Sequence, residues 1–316
     1  MTSFKNILLV KLRAIGDSVL TLSAMEALRK GFPGARLTVL FPGHSVELLS
    51  QDPRADEVLA YPRQALRSLK AHADFFSGLQ ERHFDLAVCL HASFRTALIG
   101  WMSGANARVV RNHSGRDWFS SIRSQEPKEP KSIIERDFDA LRALGLKAKP
   151  LPPRLELGPA AKIEAAALAR RLRLPKGRTV LLFPGAGTPE KRWPRERFIA
   201  LKAALDKKKI RSAWLLAPGE AWPGDAGAKD ILRVPQLLTL AALCAHAGQV
   251  IGNDSGPRHI AAAAGARTLT LFGPEALREW HPYALRDGHL ALQSGSGKIS
   301  DLETDAVVQA ALGWLR

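Results

Sequence analysis

The chain is poor in cysteine. Cys89 and Cys244 are its only two in 316 residues, and no Cys/His spacing suggests a metal finger. Cys89 falls in an apolar strand pattern and Cys244 in a helical one, so each is expected as a small buried hydrophobe in a reducing compartment. Long apolar runs are also missing. No stretch of about 18 uninterrupted apolar residues occurs, which argues against a spanning helix. The amino terminus passes directly into a strand without a long apolar leader. A cytoplasmic location follows as the expectation, with peripheral attachment to a membrane through basic residues left open. Repeats with a period of about 20–50 residues are absent, which excludes solenoids and arrays. Acidic residues are in deficit, 30 Asp and Glu against 46 Lys and Arg, for a net charge of +16. That balance favours anionic partners: nucleic acid, phosphorylated ligands or an anionic membrane surface.

What is present reads as a soluble α/β chain. Hydrophobic residues make up 46% and charged residues 24%, enough for a sizeable core. Strands and helices alternate from the start. Asn6–Leu12 is a continuous apolar strand, a loop of Arg13-Ala14-Ile15-Gly16 follows, and a helix is expected from about Asp17 to Lys30. Further strands are expected at Arg36–Phe41, Val58–Tyr61, Leu86–Leu90 and Arg108–Arg111. Residues 112–131 break the rhythm with Arg, Ser, Pro and Lys around Trp118 and Phe119 and read as a surface loop. Gly145–Pro159, rich in Pro, Gly and Lys, reads as a linker between a domain of residues 1–150 and one of 151–316. The second half restarts the pattern with strands at Thr179–Phe183, Ser212–Ala217, Gln249–Ile251 and Thr268–Phe272. Alternation of this kind implies two Rossmann-like halves with parallel sheets.

Three clusters fall at expected carboxyl ends of strands, where ligands of open α/β sheets bind. The first is Leu12–Ser18, LRAIGDS. Gly16 is expected to permit a sharp turn, leaving Asp17 at a loop-to-helix junction as a general base or as a helix cap. The second is Phe183–Phe198, FPGAGTPEKRWPRERF. Its Gly-rich loop offers backbone N–H groups, the Thr188 hydroxyl and the Lys191 cation to an anion, although the spacing is not that of a Walker motif. A plain solvated basic loop is the alternative. Trp193 is expected to pack, and Glu220 lies just beyond the next strand. The third is Asn253-Asp254-Ser255-Gly256, which opens a small-residue helix. Backbone N–H groups there can cradle phosphate, or Asp254 or Ser255 can simply cap the helix. His259, four residues after Ser255, is expected on the same face.

In this order the clusters resemble glycosyltransferase family 9, the ADP-heptose:lipopolysaccharide heptosyltransferases. The opening ILLVKLRAIGDSVLTLSAMEALRKGFPGARLTVL, the middle PGAGTPEKRWPRERF and the late GNDSGPRHIAAAAGARTLTLFGP with Trp280-x-Pro282-Tyr283 carry the likeness across nearly the whole chain. The resemblance implies a GT-B fold, two Rossmann-like domains with parallel sheets facing a central cleft, with the donor held mainly by the second. It implies inverting transfer of heptose from ADP-heptose to a lipopolysaccharide core acceptor, a phosphorylated lipid-linked saccharide, with no cofactor and no metal. Residue by residue it makes Asp17 the catalytic base. It places Thr188, Lys191, Glu220, Asp254, Ser255, Gly256 and His259 on the donor. Pro257 and Arg258 depart from the family pattern, Arg258 either reaching phosphate or pointing to water. The region Asp287–Ser300 is shorter than in many members. The basic loop 111–131 is a candidate contact with the acceptor or an anionic membrane. Competing expectations are a GT-B transferase for another nucleotide sugar, a basic nucleic-acid-binding protein and a catalytically silent sugar-nucleotide binder.

Overall fold

The computed structural model describes residues 3–111, 119–125, 129, 131–222 and 230–316. Trp118 and most of the basic loop 111–131 lie outside them. The chain divides into two compact units, Met1–Pro153 and Arg154–Arg316. Just before the division, the Leu151 amide donates to Ser23 Oγ at 3.1 Å; just after it, the Leu155 amide donates to the Ala263 carbonyl at 2.9 Å. Each half of the Pro-rich connector is thus pinned to its own unit.

The first unit runs β1 (Asn6–Val10), α1 (Ile15–Leu20), α2 (Leu22–Gly31), β2 (Arg36–Pro42), α3 (Val46–Leu49), β3 (Glu57–Tyr61), α4 (Leu69–Gln80), β4 (Leu86–Cys89), α5 (Phe94–Met102), β5 (Ala107–Val110) and α6 (Ile133–Ala143). All five strands are parallel in the order β3-β2-β1-β4-β5. Strands β1 and β4 are buried almost end to end, which explains their unbroken apolar runs. The chain order reverses between β1 and β4. Loops leaving the two strands there depart to opposite sides and open a crevice at the carboxyl edge.

The helix expected over 17–30 is two helices. They meet at Thr21, whose amide and hydroxyl both donate to the Asp17 carbonyl, at 3.1 and 2.8 Å. Gly16 does not make a sharp left-handed turn; it lies inside α1, and the N-cap position belongs to Ala14. Asp17 is therefore a first-turn residue and not a cap.

An ion cluster joins the carboxyl edge of this sheet. Lys11, fully buried after β1, donates from Nζ to both carboxylate oxygens of Asp137 at 2.9 and 2.7 Å and to the Leu90 carbonyl at 3.1 Å. Arg111, just past β5, adds a contact to Asp137 Oδ1 at 3.3 Å. Burial presses Lys11 below and Asp137 above their ordinary values; their mutual attraction opposes both shifts, while Arg111 supports the Asp137 carboxylate and disfavours the Lys11 ammonium. Asp137-Phe138-Asp139 is an Asp-x-Asp string. Asp137 is taken by these two cations and Asp139 by Lys131 and Arg142, so each carboxylate is neutralised by protein cations.

The second unit runs α7 (Pro159–Arg171), β6 (Thr179–Phe183), α8 (Arg195–Lys207), β7 (Arg211–Leu216), β8 (Ile231–Arg233), α9 (Leu237–Ala247), β9 (Gly248–Asn253), α10 (Gly256–Ala263), β10 (Arg267–Phe272), α11 (Leu277–Trp280), β11 (His289–Gln293) and α12 (Thr304–Trp314). Its six strands are parallel in the order β11-β10-β9-β6-β7-β8, and the order reverses between β6 and β9. One face of the sheet packs against α8 and α12 through Val180, Leu182, Phe198, Leu201, Val307 and Trp314. The edge strands β8 and β11 are absent from the sequence reading, because three and five residues leave little periodicity to detect.

Lys11→Met removes one partner of a buried pair and should lower the unfolding free energy of the first unit by about 3–5 kcal/mol. Urea unfolding followed by Trp101 fluorescence measures it. A loss below about 1 kcal/mol would show that the cluster contributes little to stability.

Candidate functional site

In the second unit four strand ends converge. The loop 184–193 leaves β6, Glu220 follows β7, Asp254 and Ser255 follow β9, and Gly273-Pro274-Glu275 follows β10. Asn253, wholly buried at the end of β9, ties the first loop down at both ends. Its Nδ2 donates to the Pro184 carbonyl at 2.6 Å, and its Oδ1 accepts the Trp193 amide at 3.2 Å. Trp193 packs as expected, edge-on to Phe198 at 5.0 Å, with its indole N–H donated to the Leu302 carbonyl at 2.8 Å. Between these anchors the backbone from Gly185 to Lys191 runs at the surface, with Gly187 and Thr188 exposed.

Lys191 stands at the centre of the site. Its Nζ lies 2.9 Å from Glu275 Oε1 and 3.5 Å from Asp254 Oδ2. Gly273 makes this approach possible. A side chain there would meet the Glu190 carbonyl at 2.6 Å, so only glycine lets the β10 loop lie against the turn that carries Lys191. On the opposite flank the Glu220 carboxylate accepts the Ala217 amide at 3.0 Å and reaches over the β6 loop, where a Cβ on Gly185 would stand 3.2 Å from it.

Asp254 is buried, and its other oxygen binds Arg258 Nη2 at 2.6 Å. Arg258 therefore does not point to water. It is 3% exposed, its Nη2 also donates to the Trp280 carbonyl at 2.9 Å, and its guanidinium lies 5.2 Å from the Phe272 ring centre and 5.6 Å from that of Tyr283. His259 Nε2 is 2.7 Å from the same guanidinium nitrogen, and its Nδ1 is 2.7 Å from the Tyr283 hydroxyl. Since Arg258 can only donate, Nε2 accepts and the imidazole is neutral. Both ring nitrogens of His259 are thus committed inside the protein. Burial, followed by the charge of Arg258, holds its pKa well below the ordinary value. The same two causes bring His281 to about 4. Ser255 occupies the N-cap position of α10 without capping it; its hydroxyl donates to the Asn253 carbonyl at 3.2 Å. The amide of Gly256 opens α10 beside it.

The sequence clusters at 183–198 and 253–259 and the isolated Glu220 therefore meet on one sheet edge. Sequence reasoning missed the clamp of Asn253, the buried cation of Arg258, the Glu275 carboxylate and the Tyr283 hydroxyl. The first could have been suspected from an amide directly before the Asp-Ser-Gly turn. Glu275 carries no such sign, because only the fold brings it to Lys191.

In the first unit Asp17 is 5% exposed. Its Oδ1 has no hydrogen-bond partner among the described residues, and its Oδ2 lies 3.9 Å from Arg13 Nε. Arg13 also lines a cavity of about 830 Å³ at the carboxyl edge of β1, β2 and β3, together with His44, Tyr61, Arg63 and Arg95. The nearby His91 imidazole is lowered to about 4 by burial, then by the charges of Arg13, Lys11, Arg111 and Arg95. Among the described residues no three His, Cys, Asp or Glu side chains are grouped to hold a metal.

The profile of glycosyltransferase family 9 (heptosyltransferase) matches residues 73–305. The chain belongs to this family. An E. coli protein named lipopolysaccharide heptosyltransferase 3 is 24% identical over 298 residues, 86% of this chain and 85% of the relative. The crystal structure of a family 9 glycosyl transferase from Veillonella parvula superposes with a TM-score of 0.86 at 21% identity, covering 100% of this chain and 98% of that one. E. coli heptosyltransferase WaaC with ADP-2-deoxy-2-fluoro heptose gives 0.75 at 18% identity over 98% and 99%. The fold is the expected one, GT-B with two α/β units built on parallel sheets, and the family is one of glycosyltransferases.

The lowered histidines fix a pH dependence. An unfolded chain takes up protons near pH 6.5, whereas folded His281 resists until about 4. Stability present above pH 6.5 is therefore lost as pH falls through this window. Thermal melting from pH 7 down to about 4 should show a progressive fall of several degrees, and His281→Asn should make it shallower. Identical slopes would contradict the assignment.

Proposed function

We propose that this protein transfers heptose from ADP-heptose to a lipopolysaccharide core acceptor with inversion at the anomeric carbon. The observation that carries the reading is the part-exposed cation of Lys191 on an Asn253-clamped loop at the switch point of the second sheet, an arrangement suited to a diphosphate. Family membership and the heptosyltransferase names of the relatives give the reaction class. The fluoro-heptose analogue of ADP-heptose named for WaaC supports the donor.

In this reading the diphosphate sits on Lys191 and the exposed amides near Thr188, whose hydroxyl adds a donor. The N-terminal amides of α10 at Ser255 and Gly256 contribute the same polarity. Asp254 accepts from sugar hydroxyls while Arg258 and Lys191 hold its orientation. Glu220 faces the ribose end. His259 supports the loop through Arg258 and Tyr283. The acceptor hydroxyl attacks the anomeric carbon as the bond to ADP breaks on the opposite face, and its proton passes to the Asp17 carboxylate. Lys191 and the amides stabilise the charge that develops on the departing diphosphate, so the step needs no metal. The three arginines of the first-unit cavity suit a phosphorylated or otherwise anionic saccharide.

The acceptor reading brings with it a cytoplasmic protein that works at the inner face of the membrane. Among the described residues no helix is long and apolar enough to cross it. Phe94 and Trp101 support peripheral contact. They stand seven positions apart on α5, are 68% and 50% exposed, and both touch Phe119.

ADP release measured with ADP-heptose and a lipopolysaccharide core acceptor tests the reading against a panel of UDP-, GDP- and ADP-sugars. Turnover confined to a non-heptose donor would replace it. Asp17→Asn should lower kcat by about 10²–10⁴-fold while ADP affinity by calorimetry stays within about twofold. Near-normal turnover in that variant would remove Asp17 from the chemistry.

A further inference from the structure

Lys191 is held between two carboxylates that are not equivalent. Asp254 is buried and is gripped from behind by Arg258 at 2.6 Å, itself caged by Phe272, Tyr283 and the Trp280 carbonyl. Glu275 lies closer to the ammonium, at 2.9 Å, yet its side chain is 34% exposed on a surface loop. The loop backbone is fixed, since Gln293 Nε2 donates to the Gly273 carbonyl at 2.6 Å and to the Glu275 carbonyl at 2.9 Å. The side chain is not fixed in the same way. Rotation about its own bonds takes the carboxylate to water without moving the backbone.

The four groups form a row of alternating sign: Glu275, Lys191, Asp254, Arg258. The row is neutral as it stands. An anion brought to Lys191 with both carboxylates in place would meet one cation flanked by two negative charges. Only one of the two can leave at small cost, because expelling Asp254 would strand the buried charge of Arg258.

We propose that Glu275 is a resident competitor for the anion seat. Its carboxylate holds Lys191 at 2.9 Å, and a nucleoside diphosphate binds by displacing it to solvent. This rests on the reading of the site as the donor's. It goes further by making Glu275 a determinant of which ligands enter. A neutral sugar or a hydroxyl cannot match the ion pair that it would have to break, whereas a diphosphate replaces one carboxylate with a denser charge. The seat is therefore selective for charge before any contact with base or sugar is made. Glu275 takes no part in bond making.

Calorimetric titration of the full chain with ADP decides the matter, using the wild type, Glu275→Gln, Lys191→Ala and the double variant. Glu275→Gln should bind ADP about two- to fivefold more tightly than wild type, the range of a part-exposed ion pair. In the Lys191→Ala background the same substitution should change affinity by less than about 1.5-fold, since competition acts only through the lysine. Affinity that is unchanged or weakened by Glu275→Gln overturns the proposal. An equal gain in both backgrounds also overturns it, because that is general charge repulsion and not competition. If ADP binding responds to Lys191→Ala but not to Glu275→Gln, the donor-site reading survives and this inference alone falls. If wild type binds no ADP, both fall.

Discussion

The buried amide of Asn253 is the contact on which the second-unit site depends. The stretch of eleven residues between β6 and α8, with two glycines and three prolines, has little reason to hold one shape. Asn253 gives it one by bonding the carbonyl at its start and the amide near its end. Because Asn253 is itself the last residue of β9, the loop is referenced to the neighbouring strand of the same sheet. Removing either bond would leave a buried polar group unsatisfied, which costs more than the bond itself contributes. The position of Lys191 is thus inherited from the sheet.

Charge at this edge is arranged in pairs of opposite sign. A buried arginine is tolerable only with a partner, and Arg258 has a carboxylate, a carbonyl and two ring faces. Asp254 in turn is tolerable because it sees two cations. The row then ends at the surface in Glu275, where water can substitute for protein. Mobility is therefore concentrated at one end: the inner members are rigid because desolvation makes any rearrangement costly, and the outer one is free because it is wet.

Much of this was legible in the chain. Runs such as Ile7–Val10 and Val180–Phe183 announce buried parallel strands, and the Gly-containing loops after them announce a ligand edge. Asp17, Lys191 and Asp254 stand out because charged residues at such places have no packing reason to be there. The differences from expectation have local causes, as at Gly16, or come from partners distant in sequence, as at Arg258. Gly16 looked like a turn residue but is helical. Arg258, read as reaching phosphate or pointing to water, is buried by Phe272, Trp280 and Tyr283, which lie 14 to 25 positions on. The ring nitrogens of His259 are used by Arg258 and Tyr283, a pairing that its position four residues after Ser255 does not announce. The short edge strands β8 and β11 escaped because so few residues carry little pattern.

The two units answer the same geometric situation in opposite ways, and the contrast explains why one lysine is structural and the other is available to a ligand. Lys11 and Lys191 each lie past the carboxyl end of a central strand, each faces an aspartate, and in each case that aspartate also meets an arginine. Around Lys11 every component is buried: Asp137 and the Leu90 carbonyl hold the ammonium, and Arg111 shares the aspartate. An incoming anion would have to replace contacts of 2.7–3.1 Å in a place water does not reach. Around Lys191 the aspartate is held at a looser 3.5 Å, and the nearer partner is a carboxylate on a solvated loop. Attraction between unit charges is similar in kind at both places. What differs is the free energy of letting go, which is high in the dry nest and low where water receives the released group. Solvent access to the partner, more than the identity of the cation, separates a lysine that binds the fold together from one that can be shared with a diphosphate.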